Sequence, residues 1–158
     1  MKNIKKNEGL ALSLSKGFTL IEILVVIGII AILATIVLIA INPARQFKQA
    51  RDTQRVSNVN AILNGIGQYI ADNKGAIPSF IPTAPAIEIA GVANSGLCGN
   101  LVPKYIPAMP FDPGAIVVDC VTAPYETDYT VVKDANDRVT VCAAGELPTN
   151  PTPICVTR

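Results

Sequence analysis

The sequence contains no histidine. That removes the commonest general base and the commonest metal ligand, so histidine-dependent triads and imidazole-ligated zinc sites are excluded. No C-x-x-C occurs among the four cysteines, which leaves a zinc ribbon or a thioredoxin-like motif unsupported. Gly65 and Gly67 do not extend to G-x-G-x-x-G, and no P-loop is present. Ser95, in Ala93-Asn94-Ser95-Gly96, is not a nucleophile elbow. With no catalytic constellation, the expectation is a protein that is not an enzyme and binds no cofactor. Charge is also scarce, at 16% of 158 residues, and thirteen Lys+Arg against twelve Asp+Glu give a net charge of +1. There is no global basic excess of the kind that drives sequence-independent nucleic-acid binding, and no acidic tail. The length suits one domain with room for an appendage.

What is abundant is apolar: half of the residues are hydrophobic, which excludes a fully disordered chain. They are unevenly spread. Of the 24 residues in 18–41, all but Thr19, Glu22, Gly28 and Thr35 are hydrophobic. About 20 apolar residues cross a bilayer as a helix. A core helix of a soluble protein seldom stays apolar on every face for so long. Lys2, Lys5, Lys6 and Lys16 precede the span, against Glu8 alone. The positive-inside rule therefore places the N-terminus in the cytoplasm and everything after Ile41 outside. A secretory signal fits poorly, because its apolar core is about 7–15 residues and a small-residue cleavage site follows it. Here Asn42, Pro43, Ala44 and Arg45 follow, and the small residue of note, Gly17, stands before the core.

Glu22 is costly inside an apolar span unless it lies near the interface or finds a partner charge. Cleavage between Gly17 and Phe18 would create such a partner. The new α-amino group of Phe18 in one copy could face Glu22 of a neighbour and set the axial register between them.

The run Lys16-Gly17-Phe18-Thr19-Leu20-Ile21-Glu22, after a short basic leader and before a long apolar helix, resembles the processing motif of type IV prepilins and type II secretion pseudopilins. The resemblance implies cleavage after Gly17 by a membrane prepilin peptidase, N-methylation of Phe18, and Glu22 as the register glutamate of a helical homopolymer. It also implies minor pilins and a membrane assembly platform with an ATPase as partners. The implied location is single-pass in the cytoplasmic membrane with the head outside, then a filament. Processing takes four lysines and one glutamate from thirteen and twelve, leaving nine basic and eleven acidic side chains.

The expected organisation is a leader at 1–17, a long helix at 18–72 with 18–41 as membrane span or filament core, and a globular head at 73–158. Phe47, Val56, Val59, Ile62, Leu63, Ile66, Tyr69 and Ile70 recur at helical spacing, with Arg45, Lys48, Gln49, Arg51, Asp52, Gln54 and Arg55 between them. Pro43 removes a backbone hydrogen bond, so a kink or melted stretch is expected near residues 39–44. In the resembled family such a site lets the helix stretch during assembly; a membrane-exit bend is the other reading. The basic cluster Arg45, Lys48, Arg51 and Arg55 invites a DNA-binding reading. Without an aromatic platform, and with Asp52 interleaved, a solvated or subunit-facing surface is the expectation instead.

Asp72-Asn73-Lys74-Gly75 is a helix stop. Residues 73–158, 86 in number, hold eleven prolines and six glycines and read as loop-rich. Residues 77–85 read as an extended surface connection. Residues 127–133 and 138–144 alternate as strands, with the polar turn Asp134-Ala135-Asn136-Asp137 between them as a hairpin. The fold class expected is α+β, a long N-terminal helix, transmembrane then amphipathic, packed on a small antiparallel sheet in a pilin-like manner. Pro110, Asp112, Pro113, Tyr125 and Tyr129 resemble the head pattern of major pseudopilins. That resemblance implies calcium held by loop oxygens. Asp134, Asn136 and Asp137 are the candidates, but their spacing is not an EF-hand, and a plain turn is the preferred reading.

Cys98, Cys120, Cys142 and Cys155 all fall in the expected head. An even count outside the cytoplasm reads as disulfides, and three connectivities are possible. The sequential pairing of Cys98 with Cys120 and of Cys142 with Cys155 is favoured, since the second would tether the tail to the last strand. Free thiols in a reducing host are the alternative. Three functions stay open: a type IV pilus-like filament subunit, a type II secretion pseudopilin, and a single-span anchored binding domain that never polymerises.

Overall fold

The computed structural model describes residues 17–92, 95–115, 120–121, 124–148 and 153–158. The expected leader, with its lysines and Glu8, lies outside them except for Gly17. The chain divides into two compact units, Met1–Asn42 and Pro43–Arg158.

The described part of the first unit is one helix, α1 (Leu20–Ile41), in which no residue is buried. Its composition explains its regularity, because a run that is apolar but for Glu22, Gly28 and Thr35 offers the backbone few competing polar partners. Thr35 is neutralised within the helix, its hydroxyl donating to the Ala31 carbonyl at 2.9 Å. The helix stops at Asn42, whose φ of 48° is left-handed. Asparagine is one of the few residues that take that conformation readily.

The second unit opens with α2 (Pro43–Asp72). The interruption expected over residues 39–44 is thus confined to Asn42. Pro43 does not melt a stretch of helix, because it sits at the first position, where its missing N–H would have no intrahelical acceptor. The helix ends at the predicted stop: Lys74 and Gly75 have φ of 58° and 87°, and the Gly75 N–H donates to the Ile70 carbonyl at 2.8 Å.

A four-stranded antiparallel sheet, β1 (Ile87–Gly91), β2 (Tyr125–Lys133), β3 (Val139–Ala143) and β4 (Ile154–Thr157), lies in sequential order. The predicted hairpin is β2–β3, with Tyr129 opposite Ala143 and Lys133 opposite Val139. Tyr125, Thr127, Tyr129 and Val131 point inward from β2, and Val139 and Val141 from β3. They meet Val59, Ile62, Leu63 and Ile66 of α2, and with Leu97 and Leu101 of the short α3 (Gly96–Leu101) they form one core. The arrangement is α+β and consistent with a pilin-like fold.

Three elements were not predicted: β1, α3 and β4. The reading of residues 77–85 as a surface connection also needs correction. Ile81 is 1% exposed and belongs to the core, and the Pro82 carbonyl accepts from the Lys133 N–H at 2.9 Å. Ile77 and Phe80 of the same stretch pack, partly buried, against that core.

Candidate functional site

At the start of α1, Thr19 is the N-cap, and its hydroxyl oxygen accepts from the Glu22 N–H at 3.2 Å. Thr19 and Glu22 therefore have the spacing of a capping box, and a carboxylate in the first turn is favoured by the helix dipole. Glu22 thus has a local role at the helix start. No cation lies within ion-pair distance of its carboxylate among the described residues. Phe18 is exposed. Gly17 has no left-handed φ, and a Cβ placed on it would meet no atom within 4 Å. Among the described residues, nothing in the fold requires glycine there. The apolar surface of α1 is exposed, and water is a poor environment for every face of this helix.

In the second unit the buried stripe of α2 runs Asp52, Arg55, Val59, Ile62, Leu63 and Ile66. Its first two members are charged. Arg55 forms a fork with Asp112, Nε to Oδ2 at 2.5 Å and Nη2 to Oδ1 at 2.8 Å. Its Nη1 reaches Asp52 and Glu146, each at 2.8 Å. Arg51 also engages Glu146, its Nε donating at 2.7 Å. Asp52 accepts from the backbone N–H groups of Glu146 and Leu147 at 2.9 and 3.1 Å. Asp112 accepts from the Gly114 N–H at 2.7 Å, and its own N–H donates to the Thr127 carbonyl at 2.9 Å. Asn58 adds bonds to the Phe111 carbonyl and the Tyr129 hydroxyl, at 3.0 and 2.9 Å. The cluster therefore clamps two loops, 109–115 and 144–148, onto α2. Buried charges are tolerated only when paired and hydrogen-bonded in this way.

The titration of these groups follows from the contacts. Hydrogen bonding to Asp112 raises the Arg55 pKa far beyond any physiological range. Hydrogen bonds from Arg51 hold the Glu146 carboxyl at about 2, against desolvation that opposes the shift. Burial pushes Asp112 up, but hydrogen bonds from Arg55 and the Gly114 N–H outweigh it and leave the pKa lowered.

This cluster corrects the expectation for the basic residues. Arg55 is buried and Arg51 is partly exposed, and carboxylates of the same unit pair with both. Arg45 and Lys48 do remain exposed. The signal that could have revealed the difference was register: Asp52 and Arg55 continue the 59–62–66 stripe at spacings of four and three.

The structure joins Cys98 to Cys120 and Cys142 to Cys155. Cys98 and Cys120 are buried and tie α3 to the segment that follows the clamped 109–115 loop. Cys142 and Cys155 are direct cross-strand partners on the outer face of β3–β4. In the β2–β3 turn, Asp134 accepts from the Asn136 and Arg138 N–H groups at 2.8 and 2.9 Å and pairs with the Arg138 guanidinium at 2.8 Å. Asp137 pairs with Lys133 at 3.4 Å. The turn's carboxylates are thus engaged by groups of the chain itself.

A family model of the prokaryotic N-terminal methylation motif matches residues 12–38. This is the cleavage and methylation motif of type IV prepilins and pseudopilins, and it spans Gly17, Phe18 and Glu22. It implies processing by prepilin peptidase and assembly into filaments, and it suits a membrane-anchored protein of a structural rather than enzymatic kind. No curated protein and no solved structure matches the chain.

Proposed function

We propose that the chain is the precursor of a structural subunit of a type IV pilus-like filament. In this reading it is held in the membrane by α1, cut after Gly17 and methylated on Phe18. It is then drawn by an ATPase-driven platform, with minor pilins, into a helical homopolymer whose core is made of α1 helices. The observation that carries the reading is the N-terminal segment as a whole: a motif-matched Gly17–Phe18 junction followed by a helix with no buried face. Packing α1 against copies of itself would bury that surface. Pairing the Phe18 amine of one copy with Glu22 of the next would neutralise both charges.

A type II secretion pseudopilin, which the Pro-x-Asp-Pro pattern around Asp112 resembles, is the second reading. Two measurements test the proposal. Intact mass and N-terminal sequencing of protein from native membranes are expected to give a chain beginning at Phe18 with one added methyl. A chain in healthy cells that retains residues before Phe18 would overturn the reading in favour of an anchored head. Long surface fibres on intact cells are expected for a pilus, whereas a processed chain without them would indicate a short secretion pseudopilus.

A further inference from the structure

We propose that residues 43–50, the first turns of α2, form a cationic collar that binds anionic lipid headgroups where the chain leaves the membrane. The inference rests on the membrane-held form in the reading above, though not on processing or polymerisation.

The collar is close to the bilayer by chain length alone. Pro43 is two residues beyond Ile41, a reach of at most about 7 Å, and α2 rises about 1.5 Å per residue. Lys48 is therefore within roughly 15 Å of the end of the apolar helix, whatever the orientation of the two units. Headgroup regions extend about 5–8 Å beyond each face of the hydrocarbon, and long basic side chains reach towards them.

The charge pattern is one-sided. Residues 23–51 contain no Asp or Glu, while Arg45, Lys48 and Arg51 recur every third residue along one row of the helix. The row continues to Arg55. Where the head covers it, carboxylates meet it: Glu146 at Arg51, and Asp112, Asp52 and Glu146 at Arg55. Before the head begins, residues 43–50 are exposed on every face. Lys48 has no ion-pair partner among the described residues. Cations in the first turns of a helix oppose its dipole, so the helix itself gains nothing from them. Phe47 lies between the cations and is 67% exposed. An aromatic ring flanked by basic residues is the composition of an interfacial membrane contact. The rest of the head cannot supply this attraction, because residues 52–158 hold ten acidic and six basic side chains.

The absence of tryptophan provides a clean probe, since Phe47→Trp places a single indole in the collar. The full chain carrying that substitution is reconstituted in vesicles of phosphatidylcholine alone, or with about a third phosphatidylglycerol. Carbonate extraction establishes first that α1 is inserted. In anionic vesicles the emission is expected to shift to the blue and to be quenched by lipids labelled at headgroup depth. Both effects should fade at high salt and be weak in phosphatidylcholine. One cation near an anionic surface is worth about a fivefold change in binding, so adding Arg45→Gln and Lys48→Gln is expected to weaken collar engagement about 25-fold. Water-like emission that ignores lipid charge would overturn the collar. So would an emission set by the protein-to-lipid ratio, which would assign the cations to the acidic head of a second copy. Failure of α1 to insert would overturn the membrane reading itself, a separate and distinguishable result.

Discussion

Arg55 is where one side chain decides most about the head. It is 5% exposed and binds three carboxylates, each contributed by a different stretch of chain: Asp52 on its own helix, Asp112 and Glu146 on separate loops. Removing it would leave the buried Asp52 and Asp112 with backbone N–H donors but without the Arg55 counter-charge. Arg55→Ala is therefore expected to destabilise the fold by about 3–5 kcal/mol, measured by urea unfolding of the chain in detergent. A loss below about 1 kcal/mol would mean that the cluster is hydrated and adds little. The same contacts give a pH dependence. The Glu146 carboxyl is held at about 2, below its ordinary 4.5, and Asp112 is lowered as well. A lowered carboxyl contributes stability that is complete above its unfolded pKa and disappears as pH falls through the folded one. The unfolding midpoint should thus drop between pH of about 4.5 and about 2, and Glu146→Gln should flatten that drop. In the sequence, Asp52 and Arg55 looked like the polar face of an amphipathic helix. Their partners stand 57 to 95 residues away in the chain, and no local pattern connects them.

At the scale of elements, the hairpin was legible because its alternation is long and its turn carries Asp134-Ala135-Asn136-Asp137. Strand β1 was not, although Ile87-Glu88-Ile89 alternates, because three residues of alternation amid prolines are a weak signal. Strand β4 is four residues long and is defined by its pairing with β3. The two disulfides brace different elements and differ in access. Cys98 and Cys120 are 1% and 4% exposed, whereas Cys142–Cys155 crosses the solvent face of the sheet. A mild thiol reductant is expected to open Cys142–Cys155 first, as read by alkylation and peptide mass mapping. Earlier opening of Cys98–Cys120 would mean that α3 moves away readily. Each bridge constrains the unfolded chain by about 2–4 kcal/mol, a large share for a small loop-rich head.

The molecule as a whole combines a helix without a core and a head with one. Every member of the core cluster lies within Pro43–Arg158. A fragment of residues 43–158 is accordingly expected to be soluble, to form the same two disulfides, and to unfold at the same denaturant concentration as the intact chain. Aggregation of the fragment, or a large drop in its midpoint, would show that α1 supports the head. The sequence alone determined the membrane-ready helix, the processing motif at Gly17 and Phe18, the α+β class and the central hairpin. These are properties of neighbours along the chain, written in hydrophobicity, spacing and turn chemistry over a few residues. Tertiary structure alone decided which charges are buried, where β1 and β4 add to the sheet, and which basic residues of one helical row the head's carboxylates engage. Those outcomes depend on distant segments meeting, and a carboxylate that will sit against Arg55 looks the same in sequence as one that faces water.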